Sequence, residues 1–508
     1  MVMSKEGSEV IKAGSENKTS YRSIFKATTI LGSVQLYQIV MTIIKSKFVA
    51  VLLGPAGVGI QGLYTTATGL VERFSCLGLG SSAVRNVADA NASKDQDRIN
   101  RVVSVLRKLV WFTGLLGMFL VIVLSPILSK ASFGDYSHIV AFIILSVTLL
   151  INQQTSGQNV LLQGTRRLKD LGKASAIGVT LGLIISVPLF YFFGIEGIVP
   201  SIILTSLSTY LIARFFARKV QFNKVNISLR DAFSEGRSMM TMGIAMSLSS
   251  ALATLCSYAL RGSIRMMGGL EQVGLFTAGF ALMTQYTGLI FTAMSTDFYP
   301  RLSAVNTDNE QCRKLVNQQS EIGLLILSPL MCICIIFIPF VVILLYSQKF
   351  LGANDFIVWS ACGMLFKMAS WAIGYILLAK GESKLFMITE FINSGYTLLL
   401  NLLGYKLGGL AGLGISSIFS FIIYWIMIYV IANKRYGFSY TKSFVHTFVI
   451  HLLLITGCLF CVYTLTPVWK YTVGTTITIV SGWISLHEMN KKMDLKAFVR
   501  SKLNREKR

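Results

Sequence analysis

Lys367 stands near the middle of an apolar run spanning 356–379. A lysine at the centre of a membrane-crossing helix costs about 2.5–3.5 kcal/mol on insertion scales, so it faces a water-filled cavity or a partner group. Trp359, Gly363, Lys367, Trp371 and Tyr375 recur at i to i+4 steps and share one helical face. An ammonium among indole and phenol rings suits a phosphorylated sugar. The charge takes the phosphate, and the ring faces stack on the sugar. The competing reading pairs Lys367 with Glu390 for structure alone, with Trp359 as an interface anchor.

A second polar row lies in the run 138–160. Asn152, Ser156, Asn159 and Gln163 share a helical face. Amides and hydroxyls facing lipid would be costly, so they face protein or water. Sugar hydroxyls and neighbouring helices are both suitable partners. Glu72 and Arg73 sit together inside another run. Adjacent helix residues diverge, so they do not pair with each other. Each either faces the cavity or pairs with another helix. Glu72 and Glu390 are the candidate carriers of a coupling ion. Glu390, near a span end, could equally be a carboxylate reaching for the interface. Lys45, Lys47, Arg261 and Arg265 gather where the first and seventh runs end. Arg85 and Arg301 gather where the second and eighth end.

The motifs of common enzymes are missing. Gly172-Lys173 is followed by Ala174 and lacks the upstream glycine of a phosphate-binding loop, and His487-Glu488 has no second histidine beside it. Asp95-Gln-Asp97 reads as a charged loop between Lys94 and Arg98. The eight cysteines read as structural thiols, including Cys458 and Cys461. No metal and no cofactor is called for.

The elements that must position these groups are membrane helices. The 508 residues are 53% hydrophobic and 14% charged, and the mean hydropathy is +0.62. A soluble domain carries roughly 25% charged residues. Fourteen apolar runs approach the roughly 20 residues that cross a bilayer, near 27–44, 58–80, 109–128, 138–160, 174–193, 197–213, 239–260, 273–296, 322–345, 356–379, 385–404, 410–432, 444–465 and 471–486. Most of the 47 lysines and arginines fall on one side of this alternation. The positive-inside rule makes that side cytoplasmic, with both termini there. The net charge of +24 then faces anionic lipid rather than nucleic acid. The polar N-terminus carries no cleavable signal by this reading.

Val58-Gly59-Ile60 recurs as Val273-Gly274-Leu275, and Gly194-Ile195-Glu196-Gly197-Ile198 as Gly409-Leu410-Ala411-Gly412-Leu413. One offset of 215 residues serves both and also carries Asn152 onto Lys367. The expected architecture is all-α, with two six-helix lobes related by a pseudo-twofold axis along the membrane normal. The boundaries are an N-terminal segment 1–26, an N-lobe 27–213, a basic linker 214–238, a C-lobe 239–432, two extra helices in 433–486 and a basic tail 487–508.

Three segments carry a resemblance. They are Leu53-Gly54-Pro55-Ala56-Gly57-Val58-Gly59-Ile60, Asp297-Phe298-Tyr299-Pro300-Arg301-Leu302-Ser303, and the stretch from Trp359 through Lys367 to Gly374-Tyr375 and Leu378-Ala379-Lys380. The chain resembles the Wzx-type O-antigen and enterobacterial-common-antigen flippases of the multidrug/oligosaccharidyl-lipid/polysaccharide exporter superfamily. The last two helices depart from the twelve-span members. The resemblance implies a bacterial inner-membrane flippase for an undecaprenyl-pyrophosphate-linked oligosaccharide. It also implies alternating access, ion coupling, and a glycan polymerase and chain-length regulator as partners. On this reading Lys47, Arg73, Arg261, Arg301 and Lys367 are pyrophosphate candidates. Asn152, Ser156, Asn159, Trp371 and Tyr375 are glycan candidates. A cation-coupled drug antiporter of the same superfamily is the alternative. A membrane glycan enzyme would need a long outer loop, and the outer loops expected here are short.

Overall fold

The computed structural model describes residues 33–93, 95–223 and 225–493. The backbone of its first helix begins at Met3, and the side chains at 242, 245, 246, 249, 286, 296 and 493 lie outside the described set. The side chains of the expected N-terminal segment 1–26 and the tail beyond 493 also lie outside it. Among the described residues the regular structure is entirely helical. In order, the helices are α1 (Met3–Ser75), α2 (Leu79–Ala92), α3 (Gln96–Phe133), α4 (Ile139–Gly164), α5 (Leu168–Phe193), α6 (Ile198–Ala217) and α7 (Leu229–Glu235). They continue with α8 (Arg237–Ala304), α9 (Asn309–Leu345), α10 (Asn354–Ala379), α11 (Ser383–Tyr436), α12 (Lys442–Thr464) and α13 (Pro467–Met493).

Nine stretches among the described residues are long and apolar enough to cross a membrane. Four of these, Ser33–Ser75, Leu168–Ala217, Ser250–Ala304 and Ser383–Tyr436, are 43, 50, 55 and 54 residues long. A single crossing needs roughly 20 residues. Each long stretch breaks at a glycine with positive φ: Gly54 (65°), Gly194 (54°), Gly269 (82°) and Gly409 (57°). Open space surrounds the Cβ position at all four, so backbone conformation and not crowding requires glycine there. The breaks obey the repeat, because Gly54 and Gly269, like Gly194 and Gly409, are 215 residues apart. Side-chain bonds obey it too. Ser201 Oγ donates to Ser186 Oγ at 3.0 Å, and at the same offset Ser416 Oγ donates to Asn401 Oδ1 at 2.7 Å.

The chain divides into two compact units. One joins the segment ending at Leu53 to Leu63–Thr254, and the other joins Gly54–Gly62 to the chain from Leu255 onward. The first unit packs α2, α3, α4 and α6 around Leu79, Val103, Leu106, Leu162 and Phe216. Asp95 caps α3 by accepting from the backbone N–H groups of Asp97 and Arg98 at 3.0 and 3.3 Å. The Asp95-Gln-Asp97 motif is thus a helix start. The segment after α6 is laid against α3. The Asn223 N–H donates to Asn100 Oδ1 at 2.8 Å, and Arg101 forks onto Glu235 at 2.9 and 2.7 Å.

In the second unit a core of Phe298, Leu302, Ile373, Leu377, Ile428 and Phe438 joins α8, α10 and α11. Repeat mates also meet here. A methyl group on Gly59 would collide with the Leu270 carbonyl and one on Gly274 with that of Pro55, while Gly62 faces Thr277. The helices α12 and α13, expected as an appendage, are built into this unit. Lys492 of α13 pairs with the buried Glu321 of α9 at 2.5 Å. Ser443 Oγ donates to the same carboxylate oxygen at 2.5 Å.

Candidate functional site

Helix α10 is buried around nearly its whole circumference. A helix that is apolar all round belongs inside a protein or bilayer, so a lysine within it needs its own hollow. Lys367 has one. A cavity of about 300 Å³ opens between α10 and α11, lined by Lys367, Ser370, Trp371, Tyr375 on one side and Glu390, Asn393, Phe421, Tyr424 on the other. Its volume lies at the lower end of the roughly 300–1,000 Å³ of ligand pockets.

The Lys367 ammonium lies 5.4 Å from the centre of the Phe291 ring and 5.5 Å from that of Phe421. Ring faces carry partial negative charge and hold a cation without neutralising it. Among the described residues, Lys367 has no carboxylate within ion-pair distance. Glu390 lines the same cavity but accepts the Tyr424 hydroxyl at 2.7 Å. The structural Lys367–Glu390 pair is therefore not formed. Trp371 is held by Phe291 at 5.3 Å and Tyr375 at 4.9 Å between ring centroids. Asn393 Oδ1 accepts the Tyr396 hydroxyl at 2.8 Å and the Thr397 hydroxyl at 3.3 Å, which fixes the amide.

The expected face divides. Lys367, Trp371 and Tyr375 line the cavity, while Trp359 stacks on Tyr463 of α12, with centroids 5.5 Å apart and planes at 24°. Asp355 accepts the Tyr463 hydroxyl beside it at 3.1 Å. Sequence reasoning missed Asn393, Phe421 and Tyr424. The first was legible in part, because Phe386, Glu390 and Asn393 follow one helical face.

The other candidates lie elsewhere. Arg261 is only 8% exposed. It donates to Ser257 Oγ and lies 5.6 and 5.7 Å from the Phe276 and Phe280 ring centres. Its Nε has no hydrogen-bond partner among the described residues. Arg301 is exposed and pairs with Asp297 at 3.0 Å. In the first unit Asn152 Nδ2 reaches Glu72 Oε2 at 3.5 Å. Arg73 is exposed, while Lys47, Ser156 and Asn159 are half-buried. Ser156 packs against Gly80. All eight cysteines are free thiols, and no group of His, Cys, Asp or Glu suited to a metal occurs among the described residues.

Comparison with known proteins agrees with this architecture. The lipid III flippases of Escherichia coli K12 and Shigella flexneri are each 22% identical over 392 residues, covering 74% of this chain and 90% of theirs. The lipid II flippase MurJ in an inward closed conformation superposes with a TM-score of 0.72 at 12% identity, covering 92% of this chain and 99% of that one. An inward-facing multidrug resistance MATE transporter of the MOP superfamily superposes at 0.64, with 16% identity over 80% of this chain and 98% of that one. Below 25% identity these superpositions speak for the fold alone. Residues 48–355 match the polysaccharide biosynthesis protein family, a span of more than half the chain that takes in Gly59, Gly274 and the break at Gly269, and to that family the chain belongs.

Proposed function

We propose that the chain is a flippase that moves an undecaprenyl-pyrophosphate-linked oligosaccharide, the repeat unit of O-antigen or a related surface glycan, across the bacterial inner membrane. One observation carries the reading. Lys367 is a cation with no carboxylate at ion-pair distance among the described residues, in a cavity walled by aromatic and amide groups. Such a chamber supplies what a phosphorylated sugar needs: charge for the phosphate, ring faces for the pyranose and donors for its hydroxyls. Arg261, which lies outside this cavity, would meet the pyrophosphate elsewhere on its path. The prenyl chain would remain in the bilayer, where each buried methylene is worth about 0.8 kcal/mol. Family membership and the MurJ-like fold support a transporter. Alternating access would then carry the headgroup across, with Glu390 or Glu72 as carrier of a coupling ion.

The test is a strain relying on this protein for glycan export and carrying Lys367→Ala. Lipid-linked oligosaccharide should accumulate on the inner leaflet at least tenfold over wild type, with the protein present in the membrane at its normal level. Export at the wild-type rate would remove Lys367 from the mechanism. Glu390 in the same cavity favours the alternative, a cation-coupled drug antiporter. Drug resistance on overexpression that is lost in Glu390→Gln, with normal glycan export, would select it.

A further inference from the structure

A second cavity, in the same unit as Lys367, carries no charge. It holds about 390 Å³ between α8 and α9, with Met283, Thr287 and Ile290 on one wall and Met331, Cys334 and Leu344 on the other. The Thr287 hydroxyl donates to the Met283 carbonyl within α8, so it offers nothing to a polar guest. A hollow with apolar walls stays dry and takes up hydrocarbon. Methionine side chains adapt to an irregular chain. Along α9, Leu330, Ile333 and Leu344 are 38, 43 and 73% exposed. The cavity is therefore a groove, open on a face of two membrane-crossing helices that meets lipid.

Length and position say which hydrocarbon fits. Met331 and Leu344 lie 13 residues apart in α9, about 20 Å at 1.5 Å per residue. Leu344 is the last residue but one of that helix, so the groove runs inward from the helix end. One leaflet of a hydrocarbon core about 30 Å thick gives an acyl chain about 15 Å. A chain that fills the groove thus passes the bilayer midplane, as a long prenyl chain can. The inner end of the groove adjoins the Lys367 cavity. Thr287 and Phe291 lie one turn apart on the same face of α8. The Phe291 ring centre stands 5.4 Å from the Lys367 ammonium and 5.3 Å from the Trp371 ring centre. One aromatic ring therefore has the groove along its own helix and the cation beside it.

We propose that the α8–α9 groove binds the prenyl chain of the lipid whose phosphorylated head enters the Lys367 cavity. On the flippase reading, on which this assignment rests, one molecule is held at two chemically opposite places, its head by the cation and its tail by the groove.

Native mass spectrometry of the delipidated full-length protein tests it, with undecaprenyl pyrophosphate and phosphatidylglycerol added separately at equal concentration. The wild type should retain undecaprenyl pyrophosphate at least fivefold more than phosphatidylglycerol. Cys334→Trp fills the groove and should weaken retention of undecaprenyl pyrophosphate at least fivefold. If that variant fails to fold, Ile333→Trp/Leu344→Trp, which alters the exposed rim, should weaken it at least twofold. Unchanged retention in the folded variant overturns the groove. Equal retention of the two lipids by the wild type, or an equal loss of both in the variant, overturns its assignment to a prenyl chain. Lys367→Ala reads the head separately. A loss in Cys334→Trp with none in Lys367→Ala would keep the groove and fault the cation, and the reverse would keep the cation and end the groove.

Discussion

Glu321 shows how much one side chain can fix in a membrane protein. Its carboxylate accepts from Lys492 and from Ser443, each at 2.5 Å, and so joins α9, α12 and α13. Its side chain is 9% exposed, against 26% for Lys492. Removing one partner of a buried ion pair costs about 3–5 kcal/mol, because the other charge is left without compensation. Partial exposure of Lys492 places this pair at the low end of that range. Glu321→Ala should lower the thermal midpoint, and adding Lys492→Met should restore part of the loss. A double variant whose loss equals the sum of the two single losses would show that the pair is not coupled. Neither partner was legible as such in the sequence. Glu321 falls at the edge of an apolar run, and Lys492 reads as part of a basic tail. Lys367 was legible because a lysine inside an unbroken apolar run has few alternatives. Tyr424 and Phe421 were not, because they reach its cavity only through the packing of α11 on α10.

At the scale of the helices, backbone geometry and charge act at different places. Gly269 has φ 82° and ψ 179°, a region essentially restricted to glycine, where another residue costs of order 1–3 kcal/mol. Nothing lies within 4 Å of its Cβ position. Gly269→Ala should therefore destabilise the fold by about 1–3 kcal/mol through conformation alone. Gly288→Ala, also in open space but in regular helix, should cost little. Equal midpoints for the two variants in thermal unfolding would refute the strain argument. The α7 segment answers to charge instead. The Arg101 guanidinium holds the Glu235 carboxyl below its ordinary value of 4.5. A carboxyl lowered on folding contributes stability that is complete above its unfolded value and is lost as pH falls through its folded one. Acidification below about 4.5 should thus loosen the hold of α7 on α3. A spin label at Asn226→Cys should gain mobility over that range, whereas Glu235→Gln should be mobile already at neutral pH. A label whose motion ignores both would separate Glu235 from the docking of this segment.

The whole chain carries two signals that a sequence can hold without neighbours, and both survive in the structure. Apolar runs persist because the bilayer demands backbone satisfaction within each helix. The repeat persists as geometry, in two pairs of positive-φ glycines and in one pair of matching hydrogen bonds. Pairing between distant side chains has no such local signature, which is why the cavity wall and the α9–α13 clasp emerged only with the fold. The arrangement of basic residues adds an orientation. If each long stretch crosses twice at its glycine, Lys349 and Lys406 face the outside and Lys169 and Lys384 the cytoplasm. In a background with the eight cysteines replaced by alanine, a membrane-impermeant maleimide applied to intact cells should label Lys349→Cys and Lys406→Cys. Lys169→Cys and Lys384→Cys should react only after the membrane is opened. Lys406 precedes the break at Gly409, so its label reports whether α11 turns back there. Failure at Lys406→Cys with success at Lys349→Cys would mean that α11 does not return at its glycines. The paired-crossing topology would then be wrong for that helix, while the orientation would stand.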